Sequence, residues 1–254
     1  MILLIGGTSE TAPLALALAE AGFKVLVSTA TDLTLDVGSH PNLSRRVGKL
    51  DRAGMYRLAS ENGIKLIVDA AHPYATSARA NARKTAMELN IPYLGWLRPA
   101  VLEPHEWVIF RENHEPAAEV ACSFGVPLLL TTGSRNLAPY VAAADRSGVE
   151  LVVRVLAHPD SLEASRKAGV RESNIVTGRG PFSVDENLAV MRRFSIGVLV
   201  TKDSGVAGGV PAKLEAARIL GCRVVVVQRP KESAGPMFFD VSKLVAAACE
   251  AVSL

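Results

Sequence analysis

An apolar, strand-like run, Ile2–Ile5, leads directly into Gly6-Gly7-Thr8-Ser9-Glu10 and then into a helical segment. Strand, glycine turn and helix start in that order aim backbone N–H groups and the positive end of a helix dipole at one point, as needed to hold a phosphate. Thr8 or Ser9 can cap the helix or bond the same phosphate. The turn is not G-x-G-x-x-G, because Ser9 and Glu10 follow where the third glycine would be sought. It therefore reads either as a phosphate loop or as a tight turn without a ligand. A dinucleotide site that prefers NAD carries an acid about 20 residues further on, at the end of the second strand, for the ribose 2′-hydroxyl. Here that strand ends Val27-Ser28-Thr29. Hydroxyls without a carboxylate suit the 2′-phosphate of NADP, or else simply begin a polar loop.

Four later strand ends also carry chemistry: Asp69-Ala70-Ala71-His72-Pro73-Tyr74, Thr131-Thr132-Gly133-Ser134-Arg135, Gly178-Arg179-Gly180-Pro181-Phe182 and Thr201-Lys202-Asp203-Ser204-Gly205. In a doubly wound sheet such ends face one crevice. Gly133 and Gly205 permit close backbone approach, while Arg135, Arg179 and Lys202 donate to phosphates or carboxylates, so an acidic ligand is implied. Each has a plainer reading. His72 before Pro73 also fits a surface turn, Lys202 with Asp203 a solvated pair, and Arg179 simple surface charge.

Other chemistries fail on spacing. No tyrosine among Tyr56, Tyr74, Tyr93 and Tyr140 has a lysine four positions later, as the proton relay of short-chain dehydrogenases requires. There is no G-x-x-x-x-G-K-[ST] and no G-x-S-x-G elbow. His40, His105, His114 and His158 sit in loops without partners at ligand spacing, and Cys122, Cys222 and Cys249 add none, so no metal site is expected.

The elements that must position these residues are short apolar runs alternating with helical segments. Ile2–Ile5, Lys24–Ser28, Leu66–Asp69 and Pro92–Gly95 are followed by Pro127–Thr131, Leu151–Val155, Gly197–Thr201 and Arg223–Val227. Runs apolar throughout, separated by helices, mean parallel strands buried on both faces. The helical stretches stop where they should: Thr11–Ala21 at Gly22, Thr76–Leu89 before Pro92, and Pro211–Leu220 at Gly221. The pattern lapses between Trp96 and Ala118, with at most a short strand at Val108–Phe110. The expected fold is thus α/β, with two Rossmann-like domains over 1–100 and 101–254, each a parallel sheet flanked by helices, and the active site in the cleft between them. A last helix over Asp240–Val252, capped by Asp240, completes the chain.

Composition agrees with this picture. In 254 residues, 49% are hydrophobic and 21% charged, which excludes a disordered or fibrous chain. Lys and Arg total 28 against 25 for Asp and Glu, a net charge of +3 that is too even for a general nucleic-acid or membrane-surface binder. Three scattered cysteines argue against a disulfide framework and for a reducing compartment. Met1–Ile5 lacks a basic leader and is cut by Gly6-Gly7, and no apolar run approaches the ~18 residues of a membrane span. A cytoplasmic protein is expected.

Taken in order, Gly6-Gly7-Thr8, Asp69 to Tyr74, Thr131-Thr132-Gly133, Arg179-Gly180-Pro181-Phe182, Thr201 to Gly205 and Ala212-Lys213-Leu214 resemble the precorrin-6A reductases of cobalamin (vitamin B12) biosynthesis. The likeness runs from residue 2 to about Pro230. It implies an NADPH-dependent oxidoreductase that transfers a hydride to a double bond of a tetrapyrrole macrocycle bearing many carboxylates, precorrin-6A, to give precorrin-6B. With the strand-end reading it assigns Gly6, Gly7, Thr8, Ser28, Thr29, His72, Thr132, Gly133 and Arg135 to the cofactor. Arg179, Tyr74, Ser204 and Gly205 fall to the substrate, and Lys202, Asp203 and His72 to proton supply. Partners would be the small-molecule substrate and, at hand-over, neighbouring enzymes of the pathway. Two rival readings are an NADP-dependent reductase of another acidic substrate and a non-catalytic NADP-binding regulator.

Overall fold

A computed structural model describes residues 1–31, 37–98, 102, 105–230 and 235–252. Pro99, Glu103 and Pro104 of the expected interdomain connection lie outside the described residues. The chain forms two compact units, Met1–Pro99 with Pro230–Leu254, and Ala100–Arg229.

In the first unit, β1 (Ile2–Ile5), α1 (Thr11–Glu20), β2 (Val25–Thr29), β3 (Leu43–Val47), α2 (Arg52–Glu61), β4 (Leu66–Asp69), α3 (Thr76–Glu88) and β5 (Tyr93–Trp96) follow one another. The strands pair in parallel in the order β5-β4-β1-β2-β3. Alternation along each strand explains the unbroken apolar runs. Ile2, Leu4, Val25, Val27, Leu66 and Val68 pack with Leu14 and Leu18 of α1 on one face. Leu3, Ile5, Leu26 and Ile67 pack with Met55 of α2 and Ala82 of α3 on the other. Strand β3 was not anticipated: its Leu-Ser-Arg-Arg-Val sequence is polar because it lies at the sheet edge. The chain builds outward from β1 to β3, then returns to the other side of β1 for β4. The strand order therefore reverses between β1 and β4.

The second unit repeats the plan. It contains β6 (Val108–Arg111), α4 (His114–Cys122), β7 (Leu128–Leu130), α5 (Ala138–Ser147), β8 (Leu151–Val155), α6 (Pro159–Lys167), β9 (Ile175–Thr177), α7 (Val184–Arg193), β10 (Val198–Lys202), α8 (Val210–Ile219) and β11 (Arg223–Val227). Its parallel order is β6-β11-β10-β7-β8-β9, reversing between β7 and β10. Leu129, Val152, Leu199 and Val224 meet Leu188 and Met191 of α7 and Ala216 of α8. Ser183 and Glu186 cap α7 reciprocally, fixing where the chain leaves the Gly178–Phe182 loop.

Past Arg229 the chain rejoins the first unit, contrary to the expected 101–254 domain. Strand β12 (Met237–Phe238) pairs with β5, and α9 (Val241–Val252) buries Leu244 and Ala248 against the α1 face of the first sheet. Asp240 caps α9, its carboxylate accepting from the Lys243 N–H at 2.9 Å. Among the described residues, no helix is long and apolar enough to cross a membrane.

Candidate active site

The two order reversals place the candidate residues in two sets of loops, one on each unit. Crevices at such reversals, outside the carboxyl ends of the strands, are where open α/β sheets bind ligands.

On the first unit the Gly6–Glu10 loop and the Ala70–Tyr74 loop lie side by side, because the Thr8 hydroxyl donates to the Ala70 carbonyl at 3.3 Å. Neither Thr8 nor Ser9 caps α1 as expected. Instead the Thr11 hydroxyl accepts from the N–H groups of Gly7 and Thr8 at 3.0 and 3.1 Å, holding the loop from inside the helix. A side chain at Gly6 would strike Thr11, with Cγ2 only 2.5 Å from the added Cβ. Gly7 has φ +115° and nothing within 4 Å of an added Cβ, so its backbone is open to an approaching group. Arg98, 8% exposed, pairs with Glu10 and donates to the Ser9 hydroxyl at 3.1 Å.

At the end of β2, the Ser28 and Thr29 hydroxyls are engaged by arginines of β3. Arg46 Nη1 donates to Ser28 Oγ at 2.8 Å, and Arg45 Nε and Nη2 donate to Thr29 Oγ1 at 3.2 and 3.1 Å. The cationic groups here are thus Arg45 and Arg46. In the sequence this adjacent pair stands inside a polar stretch that carries no apolar strand pattern.

The fully buried Asp69 shapes the next loop. One carboxylate oxygen accepts from Ala71 N–H at 2.9 Å and the other from Tyr93 Oη at 2.6 Å. Burial first, and then the Asp69 charge, push the Tyr93 hydroxyl well above its usual range. This anchoring presents His72, whose Nδ1 accepts from Tyr74 N–H at 3.3 Å. The neutral ring then carries its proton on Nε2. His72 and Tyr74 stack obliquely, their centroids 5.6 Å apart.

On the second unit, Thr131 donates from its N–H and hydroxyl to the Val200 carbonyl, which ties the start of the loop after β7 to strand β10. The Thr132 hydroxyl is buried without a protein partner, and Gly133 follows with φ +85°. Lys202 ends β10, where burial above all and the nearby Arg135 lower its pKa to about 8. His114 belongs to this group, and it stands at the start of a helix rather than in the expected loop. It opens α4, with Nδ1 3.0 Å from Tyr140 Oη and Nε2 3.0 Å from Asn136 Nδ2. Burial and then Lys202 hold its pKa down at about 4.

Asp203 is not a solvated loop residue but 6% exposed. Its Oδ1 accepts from Gly205 N–H at 3.3 Å and from Arg229 Nη2 at 3.2 Å, while Arg229 Nε donates to its carbonyl at 2.8 Å. Arg229 went unnoticed in the sequence, standing as an isolated cation after a strand. Ser204 is buried and Gly205 has φ +76°; Arg179 is exposed on the loop after β9. Chemically the two sets differ: the first offers N–H groups and a guanidinium pair, the second an ammonium able to yield a proton near neutral pH.

Residues 1–250 match the family model described as "Precorrin-6x reductase CbiJ/CobK". The chain is 34% identical over 246 residues to the cobalt-precorrin-6A reductase of Priestia megaterium, covering 96% of each. It is also 34% identical to the precorrin-6A reductase of Rhodococcus erythropolis, over 90% of this chain and 89% of that one. A solved structure titled "CobK precorrin-6A reductase" superposes with TM-score 0.80 at 25% identity, covering 98% of this chain and 96% of that one. Two reversed parallel sheets with polar strand ends, matched along nearly the whole chain, make this protein a member of the precorrin-6x reductase CbiJ/CobK family.

Proposed function

We propose that this reductase transfers a hydride from NADPH to a double bond of precorrin-6A, giving precorrin-6B. The observation that carries the cofactor half of this reading is the guanidinium pair Arg45 and Arg46 at the end of β2, where a doubly wound fold receives the adenosine ribose. Two cations, with no acid beside them among the described residues, suit a 2′-phosphate. The open backbone at Gly7 leaves room for the pyrophosphate beside the start of α1. Residues and cofactor thus fit. Gly6, Gly7 and Thr8 shape the phosphate turn, Ser28 and Thr29 hold the arginines in place, and His72 offers its Nε2–H.

Bound NADPH supplies the hydride, so the chain must orient the ligands and provide one proton to the neighbouring carbon. Lys202 is the proton donor. Its ammonium, with a pKa lowered to about 8, matches a general acid working near neutral pH. Asp203, locked by Arg229, fixes the loop that follows and so aims Lys202; Ser204 and Gly205 border the substrate. Thr132, Gly133 and Arg135 offer polar contacts to the ligands, and Arg179 and Tyr74 meet the macrocycle's edge and carboxylates. The chemistry needs no metal.

The test is anaerobic incubation of the purified chain with precorrin-6A and NADPH. Loss of NADPH absorbance in step with a product two mass units heavier is expected. No product with either NADPH or NADH would overturn the reading.

A further inference from the structure

Two cations lie buried in the second unit against the loops that follow β9 and β10. Arg154 stands fourth in the otherwise apolar strand Leu151–Val155 and is 6% exposed; Lys213, on the first turn of α8, is 8% exposed. Neither makes an ion pair with any described carboxylate. Arg154 donates from Nη2 to Asn187 Oδ1 at 2.7 Å and covers the Phe182 ring, its Cζ 4.2 Å from the centroid. Its Nη1 is buried with no hydrogen-bond partner. Lys213 Nζ donates to the Gly208 carbonyl at 3.3 Å, which uses one of its three protons.

Burying two like charges together is costly, and proteins ordinarily offset it with a carboxylate. Here the burial is sharp enough that desolvation first, and then the Arg154 charge, lower the Lys213 pKa to about 8. Desolvation likewise lowers Arg154 to about 10, against a weaker opposing pull from the exposed Glu186, which is itself engaged with Ser183. The cover over the pair is made of two loops. Gly209, at φ +69°, brings the end of the 205–209 loop against Pro181 and Phe182, with 3.4 Å between an added Cβ and Pro181 Cβ. Both loops are glycine-rich, so a small group can reach the cations by displacing backbone rather than side chains.

We infer that Lys213 and the unpartnered Nη1 of Arg154 form a binding site for one oxyanion group of a ligand, a carboxylate or a phosphate. The site is distinct from Lys202 and from the arginines of β3. Bound there, the oxyanion accepts from Arg154 Nη1 and Lys213 Nζ and cancels the charge that the fold buries. This deepens the proposed function, on which it rests for the identity of the ligand: either a substrate carboxylate or a dinucleotide phosphate is the source.

Lys213→Met keeps the length of the side chain and removes the charge, while Lys213→Arg keeps the charge. Without oxyanions, Lys213→Met should melt at or above the wild-type temperature, because an uncompensated cation is removed. Inorganic phosphate, added at constant ionic strength with chloride, should raise the wild-type melting temperature and leave that of Lys213→Met unchanged. In turnover, Lys213→Met should raise either KM for precorrin-6A or Kd for NADPH by about tenfold or more, as loss of a charge-assisted contact does. Whichever constant rises identifies the source, and Lys213→Arg should restore it.

A Lys213→Met protein that melts lower, responds to phosphate like wild type and keeps both constants would overturn the site, leaving Lys213 as a tie to Gly208. Should Lys213→Met not fold, Lys213→Gln takes its place in the same three measurements. Should wild type fail to reduce precorrin-6A, the functional reading falls, and the phosphate comparison decides the oxyanion site by itself.

Discussion

Arg46 and Ser28 face each other across two parallel strands, and the guanidinium Nη1 donates to the serine hydroxyl at 2.8 Å. In the proposed function, the serine holds the arginine that meets the 2′-phosphate. Arg46→Ala should therefore raise Kd for NADPH about tenfold or more, the scale of a lost charge-assisted bond, and leave NADH binding unchanged. Ser28→Asp should act in the same direction by placing a carboxylate between Arg46 and the 2′-phosphate, weakening NADPH by about 1–3 kcal/mol. Fluorescence titration with both dinucleotides checks this, and equal losses for the two would remove β3 from the 2′-phosphate site.

Gly7→Val tests the phosphate turn. At φ +115° an added Cβ meets no protein atom within 4 Å, so the valine side chain occupies the approach to the loop. The backbone strain should cost on the order of 1–3 kcal/mol of stability. NADPH binding should fall below detection by calorimetry. Undiminished affinity would place the pyrophosphate elsewhere.

Lys202→Ala should slow reduction at saturating NADPH by about 10²-fold, the lower end for a lost general acid, with cofactor affinity intact. The wild-type rate should fall as pH rises through about 8, because the donor must be protonated. In the variant that decline should be absent. Single-turnover rates from pH 6 to 9 on both proteins decide, and a retained alkaline decline in Lys202→Ala would assign it to another group.

His114 makes the second unit acid-sensitive. Burial and then Lys202 lower its pKa from 6.5 to about 4 in the folded chain. Between those values the unfolded chain takes up a proton that the folded chain refuses, so stability is full above about pH 6.5 and drains away as pH falls toward 4. His114→Gln should flatten this limb by on the order of 1–3 kcal/mol. Urea melts at neutral and acid pH measure it, and parallel losses in both proteins would contradict the assignment.

The sheets and the positions of most candidate loops were legible because β1, β2, β4, β10 and β11 are largely apolar runs buried on both faces and are followed by or end in polar or glycine residues. What escaped notice has physical reasons. Edge strand β3 hides behind Ser44-Arg45-Arg46, where one side faces solvent, and the arginine pair was lost with it. Helix α9 shows an apolar face in its sequence, but such a face does not name its partner sheet, so the return of the chain to the first unit was missed. Thr11 replaced Thr8 and Ser9 as the loop's anchor because the hydroxyl of a helix's first residue can bond backward to the turn before it. Arg154, by contrast, carried a readable signal: one charge inside Leu-Val-Val-Arg-Val demands a partner or a ligand.

The most direct measurement follows the hydride itself. Reduction of precorrin-6A with NADPH carrying deuterium at the transferable C4 position, quenched after one turnover, should yield precorrin-6B with a single deuterium bound to carbon. The same reaction run in heavy water with unlabelled NADPH should place the solvent-derived proton at the neighbouring carbon. Product lacking deuterium from labelled NADPH, or no product at all, would contradict hydride transfer from this cofactor to this macrocycle.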